Sequence, residues 1–490
     1  MRRRIQSKIF ILLSLCLALP AYSQQDYQKW LQQQQSSFQD FKDKRDKAFT
    51  EFLQKDWEAF QTMQGVVRDT QPKPTVIPEA DTEKLPPPPA TDIPQVKDVE
   101  LPAVPAAPAP APVVKPDTGI PQKGTSVQVE FYGSPVRFTY DDAIRGSLDG
   151  AVSNQSISDY WARLGKSDYE PLVRQLQSAG QQLELNDWGY AVLIYHLGRT
   201  VYSGAENTPV LFTWFMLLKS GYNARVGYGS GQVYLLLASR NDVYDVPFLN
   251  LNNHRYYLIP LDGKKKTLAE VTTYDGDYPG ADTAINFRIQ HSPLVKDRAV
   301  RKTLQFKYRG QTYRVPVDLN ANVMNFYSVY PQTDIPIYFG ALMSDATGRS
   351  LLSPLKEIIR EKPETEAVNI LLRFVQTAFR YETDQAQFSA ENYLFPEETL
   401  YYPASDCEDR AALFAYLVRN LLGLEVVGLD YPGHVSTAVQ FSSNVGRDHL
   451  SYHGKTYTIC DPTYIQADYG MTMPSVKGKQ PKVFELPSVG

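Results

Sequence analysis

The sequence predicts an α+β protein whose globular part is two copies of one unit, preceded by a long helix and a proline-rich spacer. Three observations carry this reading: a set of residues that recurs at a fixed offset, a C-terminal succession of one helix and two strands, and an aromatic stripe near the N-terminus spaced for a helix. A chain of 490 residues, 43% of them hydrophobic, has material for two or three cores, which disfavours a single domain.

The offset defines the two copies. Leu413, Phe414, Gly423, Gly433 and Val435 recur 202 positions earlier as Leu211, Phe212, Gly221, Gly231 and Val233. A hairpin-like segment precedes each copy, with Gln128, Gly133, Arg137 and Asp141 answered 177 positions on by Gln305, Gly310, Arg314 and Asp318. Tyr160-Trp161 likewise matches Tyr338-Phe339. Agreement in register across helix, turn and strand argues duplication, with units at residues 124–300 and 301–490.

The N-terminal third has a different character. Arg2-Arg3-Arg4, an apolar run from Ile9 to Pro20 and the small-x-small sequence Ala21-Tyr22-Ser23 predict a signal peptide over residues 1–23, hence a periplasmic or secreted protein. Leu15 precedes Cys16 where a lipoprotein signal needs a small residue, so no lipid anchor is expected. Over residues 24–66, Tyr27, Phe38, Phe49 and Phe60 stand eleven apart, and Trp30, Phe41, Phe52 and Met63 repeat that interval. Eleven residues make about three helical turns, so the stripe predicts one amphipathic helix ending at Gly65 that self-associates, docks on the envelope or lies on the globular body. Residues 67–123, rich in Pro, Ala and Val and including Pro86-Pro87-Pro88-Pro89, predict a semi-rigid polyproline spacer that leaves the helix separable. The net charge of -4, without a basic block, excludes a nucleic-acid partner.

Chemistry concentrates near the C-terminus. Ser405 with Glu408 three residues on reads as a capping box opening a helix, with Cys407 in its first turn. Unpaired N–H groups and the positive end of the helix dipole favour a thiolate there. His434 opens an apolar strand after Pro432-Gly433, and Asp461 ends another before Pro462-Thr463. The mature chain then has only Cys407 and Cys460, so one structural disulfide competes with the catalytic reading. Against it, adjacent strand residues face opposite ways, so Cys460 turns away if Asp461 faces His434. No close Cys or His pair suggests zinc, and no metal or other cofactor is expected. His196 reads as a core residue, while His254, His291, His449 and His453 lack the setting of His434.

A small residue-x-Cys-x-Asp motif entering an amphipathic helix, then His on a strand, then Asp-Pro on the next, resembles the transglutaminase-like superfamily of papain-related bacterial cysteine enzymes. The resemblance spans roughly Phe374 to Tyr464. It implies two tandem transglutaminase-like domains, a catalytic triad of Cys407, His434 and Asp461, and a peptide or protein substrate cleaved or transamidated through a thioester, hydrolysis leading. In the 202-residue register Cys407 falls on Ala205 and His434 on Gln232, so the first copy should be inactive. The rival reading is a non-catalytic envelope scaffold that retains the fold. The second copy carries about 23 extra residues between Tyr381 and Ser405. This segment, 382–404, is expected to form a lid whose Phe388, Tyr393, Phe395, Tyr401 and Tyr402 contact substrate.

Overall fold

The computed structural model describes residues 21–55, 57–67, 72–82, 93–97, 99, 101, 124–264 and 268–486. The expected signal sequence up to residue 20, and the Pro86–Pro89 and Ala106–Pro112 runs, lie outside the described residues.

Helix α1 spans Ala21–Leu53 and strand β1 spans Trp57–Gln61. A hairpin of β2 (Thr125–Phe131) and β3 (Ser134–Tyr140) follows. Then come α2 (Asn154–Gly165), α3 (Glu170–Gln182), α4 (Asp187–Val201) and α5 (Thr208–Lys219). Strands β4 (Ala224–Gly229), β5 (Gln232–Ala238), β6 (Phe248–Leu251), β7 (His254–Leu258) and β8 (Glu270–Tyr274) complete the first half. The second half opens on another hairpin, β9 (Ala299–Tyr308) and β10 (Gln311–Asn320). Helices α6 (Ala321–Tyr327), α7 (Ile335–Phe339), α8 (Asp345–Ile359) and α9 (Glu364–Ala378) come next. The short elements β11 (Arg380–Tyr381), α10 (Asp384–Phe388), α11 (Pro396–Tyr401) and β12 (Ala404–Ser405) lead into α12 (Cys407–Leu422). Strands β13 (Glu425–Tyr431), β14 (His434–Gln440), β15 (His449–Tyr452), β16 (Lys455–Cys460) and β17 (Lys482–Glu485) end the chain. The protein is thus α+β, with helices and mainly antiparallel sheets segregated along each half.

Each half sets one long helix against a sheet. The first sheet runs β1-β8-β4-β5-β7-β6 and the second β15-β16-β14-β13-β17. Read from the opposite edge, the second order is that of the first without β1. The buried faces of α5 and α12 are nearly continuous, as expected of helices enclosed on most sides.

The N-terminal segment departs from the sequence expectation. α1 stops at Leu53 rather than Gly65, because Trp57 and Phe60 join the sheet edge as β1, in register with Tyr274 and Val271. Nor is the helix separable. Phe49 and Leu53 are buried in the main core, with the Phe49 ring 4.8 Å from Trp161 and 5.1 Å from Tyr278. Asp46 Oδ1 accepts from Lys219 Nζ and from the Tyr278 hydroxyl, both at 2.5 Å. Burial pushes Lys219 down to about 8. Further up the helix, Trp30 and Phe41 are exposed, so among the described stripe residues of α1 the covered ones are Phe49 and Phe52.

The described parts of the expected spacer are docked rather than free. Ala80 N–H donates to Ile465 O at 2.8 Å, and Val96 N–H to Lys362 O at 3.0 Å. Lys356 Nζ donates to Val99 O at 2.5 Å. Side-chain and main-chain hydrogen bonds of this kind hold an extended chain that lacks a core of its own.

Candidate active site

α12 begins one residue later than its sequence suggests. Asp406, not Ser405, is the N-cap, and Cys407 is the first helical residue. Asp409 Oδ2 accepts from the Asp406 N–H at 3.3 Å, which ties down one free donor of the helix start. Ser405 instead closes β12, paired with Tyr381, and its Oγ accepts from Arg410 Nε at 3.3 Å. Glu408, expected to cap, turns to Lys73 and to the cysteine. At the far end, Gly423 adopts φ +64°, a left-handed conformation suited to glycine, and stops the helix.

The histidine comes from a tight hairpin. Gly433 has φ +73°, which lets the chain reverse between Tyr431 and His434, the closing pair of β13 and β14. His434 Nε2 lies 2.8 Å from Asp461 Oδ2, both side chains almost fully buried. Asp461 Oδ1 accepts from the N–H groups of Thr463 and Tyr464 at 2.9 and 3.1 Å. An acceptor-only carboxylate so oriented fixes the proton on Nε2 and leaves Nδ1 as the basic nitrogen. That Nδ1 is buried and has no hydrogen-bond partner.

Cys407 stands apart from this pair. α12 packs against β14, yet the thiol donates to Glu408 Oε2 at 3.0 Å and neither imidazole nitrogen bonds it. The expected thiolate is therefore corrected. Complete burial, followed by the charges of Glu408 and Asp406, pushes the Cys407 thiol well above its ordinary value. Cys407 and Cys460 are both free, so the disulfide alternative is excluded in this structure.

Sequence reasoning missed the groups that surround the thiol. Lys73, buried, lies 2.9 Å from Asp406 Oδ2 and 3.8 Å from Asp384 Oδ2, and forms ion pairs with Glu391 and Glu408. Burial opposes the ammonium charge, but Glu408, Asp406 and Asp384 outweigh it and hold Lys73 protonated. Burial would also raise Glu408; Lys73 reverses this and holds the carboxyl below its ordinary value. Asp384, Glu391, Asp406 and Asp409 are all raised, first by burial and then by neighbouring carboxylate charge, Asp409 for Asp384 and Glu408 for the other three. Two overlapping triples, Asp384/Asp406/Asp409 and Asp384/Glu391/Glu408, bring oxygens within 4.8 Å and have the spacing to hold a cation. Nothing in Pro72-Lys73-Pro74 announces this role; charged residues so close to Cys407 on a mostly apolar helix were the available signal.

Two further residues position the site. Arg410, fully buried, donates to the main-chain oxygens of Gln376 and Phe379 at 3.3 and 3.0 Å. Gln376 Nε2 donates to the main-chain oxygens of Asp461 and Ala467, each at 3.0 Å. α9 thus ties the start of the cysteine helix to the loop that carries the acid.

The expected substrate contact is corrected for two of the five aromatic residues of the lid segment. Tyr393 and Phe395 are buried, Phe395 stacked 4.6 Å from Tyr338 and tilted 4.7 Å from Tyr327, while Phe388, Tyr401 and Tyr402 are half-buried. Through Asp384 and Glu391 the segment 382–404 builds the surroundings of the thiol, because its aromatic residues fill the space over α6 and α7. In the first half, α5 starts at Thr208, three positions after Ala205, so Ala205 lies outside the helix. A cavity of about 1000 Å³ lies beside Gln232, lined also by His196, Arg199 and Asn207. Burial lowers His196.

Among the described residues no helix is long and apolar enough to cross a membrane. Comparison with protein-family models, with curated proteins and with solved structures finds no match to this chain.

Proposed function

We infer that this chain is an exported cysteine enzyme of the transglutaminase-like kind, performing acyl transfer on amide substrates through Cys407, His434 and Asp461. The observation that carries the reading is the buried His434–Asp461 pair, 2.8 Å apart, with Nδ1 left unpartnered in the same sheet-and-helix unit as a cysteine at a helix start. In the reaction, His434 Nδ1 takes the thiol proton once Glu408 releases it. The thiolate then attacks the amide carbonyl, and the imidazolium returns the proton to the leaving amine as the C–N bond breaks. Water resolving the thioester gives a peptidase or amidase; an amine gives transamidation, and hydrolysis leads. The backbone N–H of Cys407 is one oxyanion donor.

The duplication belongs to the same reading. It is supported by the hairpin that opens each half, by the long helix followed by a two-stranded hairpin, and by the shared strand order. The first copy, with Ala205 and Gln232 at the key positions, is inactive. Export to the periplasm or beyond rests on the N-terminal sequence.

A second reading, a non-catalytic envelope scaffold, is favoured by the bond of the Cys407 thiol to Glu408 rather than to His434. Assay of a mixture of protein-derived peptides by mass spectrometry separates the two. Cleaved or amine-exchanged peptides that disappear in Cys407→Ala support the enzyme; peptides left unchanged by both forms support the scaffold.

A further inference from the structure

Residues 72–82 form an irregular strap, bent at Thr75-Val76, that runs from the carboxylates beside Cys407 to Ile465. At its start, Lys73 enters the carboxylates that flank Cys407, its Nζ 5.6 Å from the centroid of the Tyr393 ring. At its end, Glu79 forms a parallel bridge with Ile465, four residues beyond Asp461, and Gln466 Nε2 donates to Glu79. In between, Ile77 and Ala80 pack on the cluster of Leu429, Tyr431 and Tyr464, and the Tyr431 ring lies 6.4 Å from that of His434. The site itself is closed to solvent: Cys407 is 0%, His434 3% and Asp461 1% exposed.

We propose that the strap is an internal occupant of the substrate cleft, and that the cleft takes an extended polypeptide whose lysine or arginine enters the carboxylate pocket now filled by Lys73. The proposal rests on the acyl-transfer reading for the word substrate, but not for the occlusion. Four carboxylates converge on one ammonium, so the pocket selects a long cationic side chain with a compact charged end. Addition of the strap backbone beside Ile465 is the way an extended peptide docks through main-chain hydrogen bonds. Proline on both sides of Lys73, and again at Pro78, restricts the backbone of the strap and lowers the entropy lost on docking. The bond after Lys73 is a tertiary amide to Pro74 with no N–H, a poor mimic of an ordinary peptide bond. A full-length chain therefore carries its own competitor.

The test uses the whole protein and iodoacetamide, with modification read at Cys407 and Cys460 separately by peptide mass spectrometry. Lys73→Glu and Ile77→Asp each release one end of the strap, while Val76→Ser alters a residue 82% exposed. Alkylation of Cys407 should accelerate at least about tenfold in the first two variants, a free-energy change of about 1.4 kcal/mol. Val76→Ser and Cys460 should not change. A synthetic peptide with the sequence of residues 72–82 should restore protection to Lys73→Glu, its Lys73→Arg form should also protect, and its Lys73→Ala form should not. Equal alkylation rates in the wild type and both strap variants, with Cys460 still protected, would overturn the proposal, as would protection by the Lys73→Ala peptide. Should Lys73→Glu expose Cys460 as well, its fold is lost and Ile77→Asp decides. Accelerated labelling without any peptide turnover would leave the strap in place and remove the acyl-transfer reading instead.

Discussion

The ammonium of Lys73 lies 2.9 Å from Oδ2 of Asp406, the residue immediately before the candidate nucleophile, although 333 positions separate them in sequence. A residue from the proline-rich stretch thereby sets the charge around a cysteine at the other end of the chain. The thiol is buried and bonded to Glu408, while the His434–Asp461 pair is already assembled.

Substitution of the three site residues should separate their roles. Cys407→Ala and His434→Ala are expected to lower turnover by at least about 10³-fold without loss of the cooperative unfolding transition, and Asp461→Asn to lose less than either. Steady-state assay alongside thermal unfolding checks this; retained turnover in Cys407→Ala would remove the nucleophile assignment.

Gln376 is expected to act by positioning. Gln376→Leu removes both donors to the Asp461 and Ala467 carbonyls and should lower kcat about tenfold or more with little change in KM, since alignment of the acid and not substrate capture is lost. Gln376→Glu, which keeps the shape but accepts where the amide donated, should not rescue it. A rise in KM alone would show that the residue shapes the binding surface instead.

The N-terminal helix should behave as core. Phe49→Ala deletes a ring packed against Trp161, Trp214, Tyr274 and Tyr278, at an expected cost of about 3–5 kcal/mol in urea unfolding. Trp30→Ala, at an exposed position of the same helix, should cost less than about 0.5 kcal/mol. Equal effects would mean that the helix is not docked through its C-terminal end.

Glu398 gives the stability a defined pH dependence. Burial pushes its carboxyl from 4.5 up to about 8, against one hydrogen bond from the Phe395 N–H. Between those values the folded protein binds more protons than the unfolded chain, so this contribution is complete below 4.5 and is lost as pH rises through 8. Glu398→Gln, which is neutral throughout, should flatten the fall of Tm between about pH 5 and about pH 9 and stabilise the protein at the upper end by an amount on the order of a few kcal/mol. A parallel fall in both proteins would place the titration elsewhere.

Local signals made part of this legible. The α12 helix, the Gly433 turn before His434 and the strand end at Asp461-Pro462 all depend on neighbours within a few residues, and the structure has each element within one residue of where those residues put it. The eleven-residue aromatic spacing suits a helix equally well before and after Leu53; pairing of β1 with β8, more than 200 residues away, decided where it stopped. Cap choice turned on a competition that sequence does not reveal, because Glu408 gains more from Lys73 than from the helix start. The docked strap was hidden for the same reason: a Pro-Lys-Pro sequence has the composition of a spacer until four distant carboxylates meet its lysine. Tyr393 and Phe395 looked like substrate contacts only while their partners Tyr327 and Tyr338 were unknown.

The central claim is that His434 activates Cys407, and the pH profile of Cys407 alkylation by iodoacetamide tests it without a substrate. The profile is measured in the full chain and in Lys73→Glu, each with and without His434→Ala, from about pH 5 to about pH 9, and its shape rather than its absolute rate is read. With the strap released and His434 present the rate should reach a plateau well below the ordinary thiol value of about 8.5, whereas without His434, and in the full chain with the strap seated, the rate should keep rising through that value. Superimposable profiles in the presence and absence of His434, in both backgrounds, would contradict the account.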